Sequence, residues 1–202
     1  MRKNTYRFAA LAIFVAAAAC SDNTGPATSI DATDAADIAL DTDLLAGEII
    51  YDQMFTGFAE AGLSANSADE KSFDRSRNCP AGGTVTLSGT VTRTRDDEGT
   101  TFDVSATGAW NDCARRGRRG ITRTLNGTFT LTAHREIVNG QHNGQQTTTK
   151  AGSFTWTSSD GRSGQCDFDI TSTRYPDERR RTVQGTVCGH TIDRTVDWNR
   201  QG

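Results

Sequence analysis

Residues 124–132, TLNGTFTLT, read as a β-strand with a glycine set into it, and the phrase recurs as TLSGTVT at 86–92 and TVQGTVC at 182–188. In each copy the glycine shares the parity of the apolar residues, as in Leu125, Gly127 and Phe129, with polar residues on the other parity. Alternation of this kind, rich in Thr, Val and Phe, is the pattern of a half-buried antiparallel strand. A missing side chain on the core side lets a strand coil strongly, or lets a large neighbour lie over the gap; Trp110, Trp156 and Trp198 are candidate neighbours. A two-residue hairpin turn at Asn126-Gly127 is the competing reading, but Ser88-Gly89 and Gln184-Gly185 occupy the same place in the other copies. The phrase is therefore expected to bend strands, not to bind a ligand.

The alternation extends in both directions. Val85, Leu87 and Val91 share one parity; Phe102, Val104, Ala106 and Trp110 follow, then Phe154 and Trp156, Phe168 and Ile170, Val183 and Val187, and Ile192, Val196 and Trp198. Between the runs stand the turn signals DDEG, NDCARRGRRG, NGQHNG, SSDGRSG, YPDE and CGH. Residues 79–202 thus read as a mainly β domain, an antiparallel meander of about seven strands forming an up-and-down barrel or a two-sheet sandwich.

The N-terminal part differs in composition. Arg2, Lys3 and Arg7 precede an uncharged run, FAALAIFVAAAA at 8–19, which is too short to span a bilayer core and reads as a secretory signal over 1–19. Ala17, Ala18 and Ala19 before Cys20 resemble the lipobox of bacterial lipoproteins, although Ala17 stands where leucine is usual. That resemblance implies acylation of Cys20, and two or more chains on one cysteine make a stable anchor. Residues 20–36 read as an acidic flexible tether. In 37–63, Leu40, Leu44, Leu45, Ile49, Ile50, Met54, Phe55 and Phe58 fall at mostly helical spacings, which predicts one N-terminal amphipathic helix packed on the sheet of its own domain. Residues 64–78 read as a polar connector.

With Cys20 assigned to the lipid, Cys79, Cys113, Cys166 and Cys188 remain, an even number suited to an oxidising compartment. Cys79 and Cys113 lie symmetrically about Asp96 in a turn-like stretch, and Cys166 and Cys188 about Asp177, so the expected disulfides are Cys79–Cys113 and Cys166–Cys188. Each closes a loop worth about 3 kcal/mol in the chain-entropy model. No C-x-x-C half-site supports a metal. Cys79-Pro80-Ala81-Gly82-Gly83-Thr84-Val85, Asn111-Asp112-Cys113 and Leu125-Asn126-Gly127 together resemble uncharacterised β-rich bacterial lipoproteins. The likeness covers roughly the second half of the chain and implies a fold and a compartment, the outer membrane at its periplasmic or cell-surface face, without an activity.

Chemistry is sparse. The chain has no G-x-S-x-G elbow, H-E-x-x-H pair, phosphate loop or dinucleotide fingerprint. His134, Glu136 and His142 lie near one expected hairpin, with His134 on the polar parity and His142 in a turn, and His190 is isolated; no metal site or cofactor is expected. Asp167 and Asp169 flank Phe168 as a solvated strand face would, and no catalytic residue is assigned. The least ordinary feature is arginine: Arg115, Arg116, Arg118 and Arg119 after Cys113, and Arg179, Arg180 and Arg181 after the 177 turn. If both turns open at one end of the sheet, they form a cationic rim suited to phosphate or carboxylate groups. Nucleic acid is not an expected partner, because the aromatic platform of single-strand binders is missing. The resulting expectation is a membrane-anchored, non-enzymatic envelope lipoprotein that works by surface contact, with an anionic envelope component as partner. The alternative is a β-barrel carrier of an apolar or amphiphilic ligand.

Overall fold

The computed structural model describes residues 30–56, 67–97, 99–117, 120–138 and 145–197. Cys20, Arg118, Arg119, His142 and Trp198 lie outside the described residues. The elements are α1 (Ala32–Thr56), β1 (Ser67–Asn78), β2 (Thr84–Arg95), β3 (Gly99–Arg116), β4 (Thr122–Val138), β5 (Gln146–Ser158), β6 (Ser163–Tyr175), β7 (Arg180–Val187) and β8 (His190–Asp197). The strands form one antiparallel sheet in sequence order, β1 to β8, which is not closed: no pairing among the described residues joins β1 to β8. The meander is as expected, but there are eight strands, and the sheet is neither a closed barrel nor a sandwich.

The eighth strand is β1, which falls on the expected polar connector 64–78. Half of its residues are charged, most are exposed, and Phe73 is the one buried residue among its described side chains. Charged side chains along an edge strand discourage pairing with other chains. A strand with one core residue leaves almost no period-two signal to read.

Helix α1 starts at Ala32, inside the expected tether. Asp31 caps it: its Oδ1 accepts a hydrogen bond from Asp34 N at 2.7 Å and its carbonyl accepts one from Ala35 N at 2.9 Å. Ala35, Ile38, Ala39, Thr42, Ala46, Ile49 and Ile50 form its buried stripe at i, i+3, i+4 and i+7 spacing. Asp34, which falls in the expected tether, and Asp43, which falls in the expected amphipathic helix, are buried as well, where both expectations would have put acids in water. The buried hydroxyl of Thr42 donates to the Ile38 carbonyl at 2.9 Å, so it adds no unsatisfied group. The helix touches β1, β2 and β3 at one edge of the sheet and β7 and β8 at the other. The sheet must therefore curl around it, and the helix takes up the space that barrel closure would need.

The curl shows what the repeated glycines do. Across the inner face, one row runs Leu87, Gly108, Phe129, Gly152, Phe168, Val187, and the next runs Val85, Trp110, Gly127, Phe154, Cys166. Large rings thus stand between glycines on neighbouring strands. Trp110 stacks on Phe129 with ring centroids 4.3 Å apart and meets Phe154 edge-on at 5.9 Å. A Cβ on Gly108 would lie 2.2 Å from the Phe129 ring, whereas on Gly89 or Gly127 it would lie 2.2 Å from the backbone oxygen of the adjoining strand.

Both disulfides are those expected, Cys79–Cys113 with Cα atoms 5.4 Å apart and Cys166–Cys188 at 4.6 Å. The first closes beside a β-bulge, where the β3–β4 register slips between Trp110 and Cys113 and Asp112 adopts φ 49°. Asn126, on the outward parity, braces that bulge. Its Oδ1 accepts from Asp112 N at 2.7 Å and its Nδ2 donates to Asp112 Oδ1 at 2.9 Å.

Gly127→Val forces a branched side chain against the backbone of β5 and is expected to cost on the order of 1–3 kcal/mol. Thermal unfolding under oxidising conditions checks this. An unchanged melting temperature would mean that the close strand approach at Gly127 is not required by the fold.

Candidate functional site

Inward parity at the strand ends belongs to cations. Arg123 and Arg135 on β4, Lys150 on β5 and Arg181 on β7 carry on the apolar rows, and Arg123, Arg135 and Lys150 are buried. The helix supplies the counter-charges. Asp34 Oδ1 accepts from Arg123 Nη2, and its Oδ2 accepts from Arg162 Nη2 at 3.2 Å; Arg162 also reaches Asp160 at 2.8 Å. Asp43 accepts from Lys150 Nζ at 2.7 Å, Arg181 Nη1 at 2.7 Å and Ser172 Oγ at 3.0 Å. Asp41 pairs with Arg115 Nε at 3.0 Å.

Burial by itself raises the Asp43 carboxyl, but the Lys150 and Arg181 charges, with the hydrogen bonds from Lys150 and Ser172, hold it below its ordinary 3.8. Lys150 is fully buried, and burial lowers its ammonium below 10.5 against the opposing pull of Asp43; Arg181 lowers it further. Two cations therefore share one carboxylate at this point of the interior.

The expected arginine rim is only partly assembled. In a meander the β3–β4 and β6–β7 turns sit at opposite ends of the strands, so the turns themselves do not share a rim. The curl nevertheless brings Arg115, Arg116 and Arg181 to one cleft of about 270 Å³, with Asp37, Leu40, Asp41 and Val196. Arg179 and Arg180 do not line it. Arg179 is exposed in the turn at φ 48°, and Arg180 lies over the Tyr175 ring at 4.5 Å and pairs with Glu178 at 2.7 Å.

His134 is half-exposed on the outer face. Its Nδ1 meets Asp103 Oδ1 at 2.7 Å across the β3–β4 pair, and its Nε2 meets Glu136 Oε1 at 3.4 Å. The hydrogen bond to Asp103 raises the imidazole above 6.5, with desolvation opposing and Glu136 adding to the rise. Among the described residues no group of three or more His, Cys, Asp or Glu side chains is placed to hold a metal ion. Asp167 and Asp169 are exposed, and Asp167 borders a shallow depression of about 570 Å³ on the outer face, with Thr86, Ser88, Thr107, Thr128 and Ser153. His190 donates from Nε2 to the Ile30 carbonyl at 2.7 Å, a tie that holds the start of the helical segment.

Asp34, Asp43, Arg123 and Lys150 went unread in the sequence, yet a signal was present. Arg123 shares parity with Leu125 and Gly127, and Lys150 with Gly152 and Phe154, so each cation stood in an inward register. No protein-family model, no curated protein and no solved structure matches this chain.

Asp43→Asn leaves the buried Lys150 and the partly buried Arg181 without their carboxylate and is expected to cost about 3–5 kcal/mol at neutral pH. Because the Asp43 pKa is depressed, its contribution is complete above the unfolded value of 3.8 and is lost as pH falls through the lower folded value. Urea unfolding from pH 7 down to pH 3 should show that acid-side loss in the wild type and a smaller one in Asp43→Asn. Equal stability of the two proteins at pH 7 would refute the role given to the cluster.

Proposed function

We propose that this chain is a bacterial envelope lipoprotein, anchored through acylated Cys20 at the outer membrane, which acts by surface contact and not by catalysis. The observation that carries the reading is the sequence from the basic Arg2, Lys3 and Arg7 through the short apolar run to Ala17-Ala18-Ala19-Cys20. The two cysteine pairs at bonding distance suit the same compartment, since disulfides persist in the periplasm and at cell surfaces. The contact reading draws support from the occupied concave face. A carrier needs that space for its ligand, and α1 fills it with Ile38, Ala39, Ile49 and Ile50 among its buried residues.

Cys20→Ser is expected to abolish labelling by a fatty-acid analogue and to move the protein from the membrane pellet to the soluble fraction. Unchanged sedimentation of the variant, together with no label in the wild type, would sink the proposal.

A further inference from the structure

The cleft beside α1 has a charge imbalance that its own residues do not resolve. Lys150 and Arg181 share the carboxylate of Asp43, so that cluster carries one cation more than it has acids. Lys150 is sealed from solvent, whereas Arg181 keeps some exposure and lines the cleft, so the excess charge is presented there. Arg181 uses Nη1 for Asp43, and its Nε is buried with no hydrogen-bond partner. Arg116, from the end of β3, lines the same cleft, is exposed, and makes no ion pair among the described residues. Arg115 also lines it but is engaged by Asp41. Asp37 and Asp41 face the cleft from the helix and set a limit: a large polyanion is repelled, while a compact anion on the arginine side is not. Leu40 and Val196 give the cleft an apolar wall.

We propose that this cleft binds the phosphate group of a small molecule, with Arg116 and Arg181 as its ligands. Guanidinium groups suit phosphate because their N–H donors match its oxygens in paired hydrogen bonds. A volume of about 270 Å³ admits a phosphate with a few carbon atoms attached, and the Leu40 and Val196 wall accepts the carbon part. The site does not depend on acylation, so it goes beyond the anchor reading and stands or falls separately.

The test uses the full chain carrying Cys20→Ser and titrates inorganic phosphate, followed by 31P line broadening and by calorimetry. Saturable binding is expected, weakened roughly tenfold or more by Arg116→Gln, the scale of a lost charge-assisted hydrogen bond. The melting temperature should not change, because Arg116 is exposed and makes no ion pair among the described residues. Arg95→Gln, which removes a cation that does not line the cleft, should bind as the wild type does. Competition by dihexanoylphosphatidic acid below its micelle concentration would support a lipid headgroup as the source, and competition by glycerol 3-phosphate alone a free phosphate ester. Absence of saturable binding, or equal binding by wild type and Arg116→Gln, would overturn the proposal.

Discussion

Two buried carboxylates on one helix fix how the sheet must lie around it. Asp34 and Asp43 are separated by about two and a half helical turns, so they point in nearly opposite directions, and both are buried. A buried carboxylate is tolerable only when it is paired and hydrogen-bonded. Asp34 finds Arg123 on β4 and Arg162 in the turn just before β6, and Asp43 finds Lys150, Ser172 and Arg181 on β5, β6 and β7. Both carboxylates draw their partners from β4 to β7, while the same helix also touches β1, β2 and β3 at one edge and β8 at the other, so the sheet has to curl around it. The curl in turn needs places where strands coil and approach closely, and Gly89, Gly127 and Gly152 sit where a Cβ would strike the neighbouring backbone.

These ion pairs position the helix more than they stabilise the fold. Desolvating both partners of a buried pair commonly cancels its Coulombic gain, and Arg123 Nε and Arg181 Nε remain buried without hydrogen-bond partners, a further cost. The favourable term comes from the aromatic rows: Phe129, Phe154 and Phe168 each meet the Trp110 ring, Phe154 also meets Phe168, and all four are buried. Apolar contact is non-directional and would accept the helix in several rotations and shifts. Moving α1 by one residue would withdraw Asp43 from Lys150 and leave both charges buried, so the ionic contacts select one docking among those that the core permits.

Much of the fold was legible because antiparallel strands write their burial into alternating residues. Leu125, Gly127 and Phe129 placed β4 and its inward face, and the symmetry of the cysteines about two turns gave both disulfides. Closure was not legible, since a meander of alternating strands is compatible with a barrel, a sandwich or a sheet wrapped on a helix. The start of α1 was obscured because Asp31 and Asp34 have the composition of a solvated linker, although one is an N-cap and the other an interior counter-ion. The cleft was half visible. The arginines were conspicuous, but only the curl brings Arg116 and Arg181 together, and no local pattern encodes it.

The outer face offers a contrasting surface. Thr86, Thr107, Thr128, Thr130, Thr149 and Thr171 lie on the solvent parity of successive strands. Threonine there serves the strand, because its branched side chain suits the pleated backbone and its hydroxyl finds partners within the sheet, as Thr149 does with Thr171 at 3.2 Å and Thr130 with the Ala151 carbonyl at 3.3 Å. Of the hydroxyls that line the shallow depression, that of Thr130 is engaged in this way. Distinctive surface chemistry lies where that lattice is interrupted: at His134, which is hydrogen-bonded to Asp103 and Glu136, and at the cleft, where Arg116 makes no ion pair among the described residues. Of these two interruptions, the second leaves a cation without an acid among the described residues, and that is the ground on which the phosphate site beside the helix is proposed.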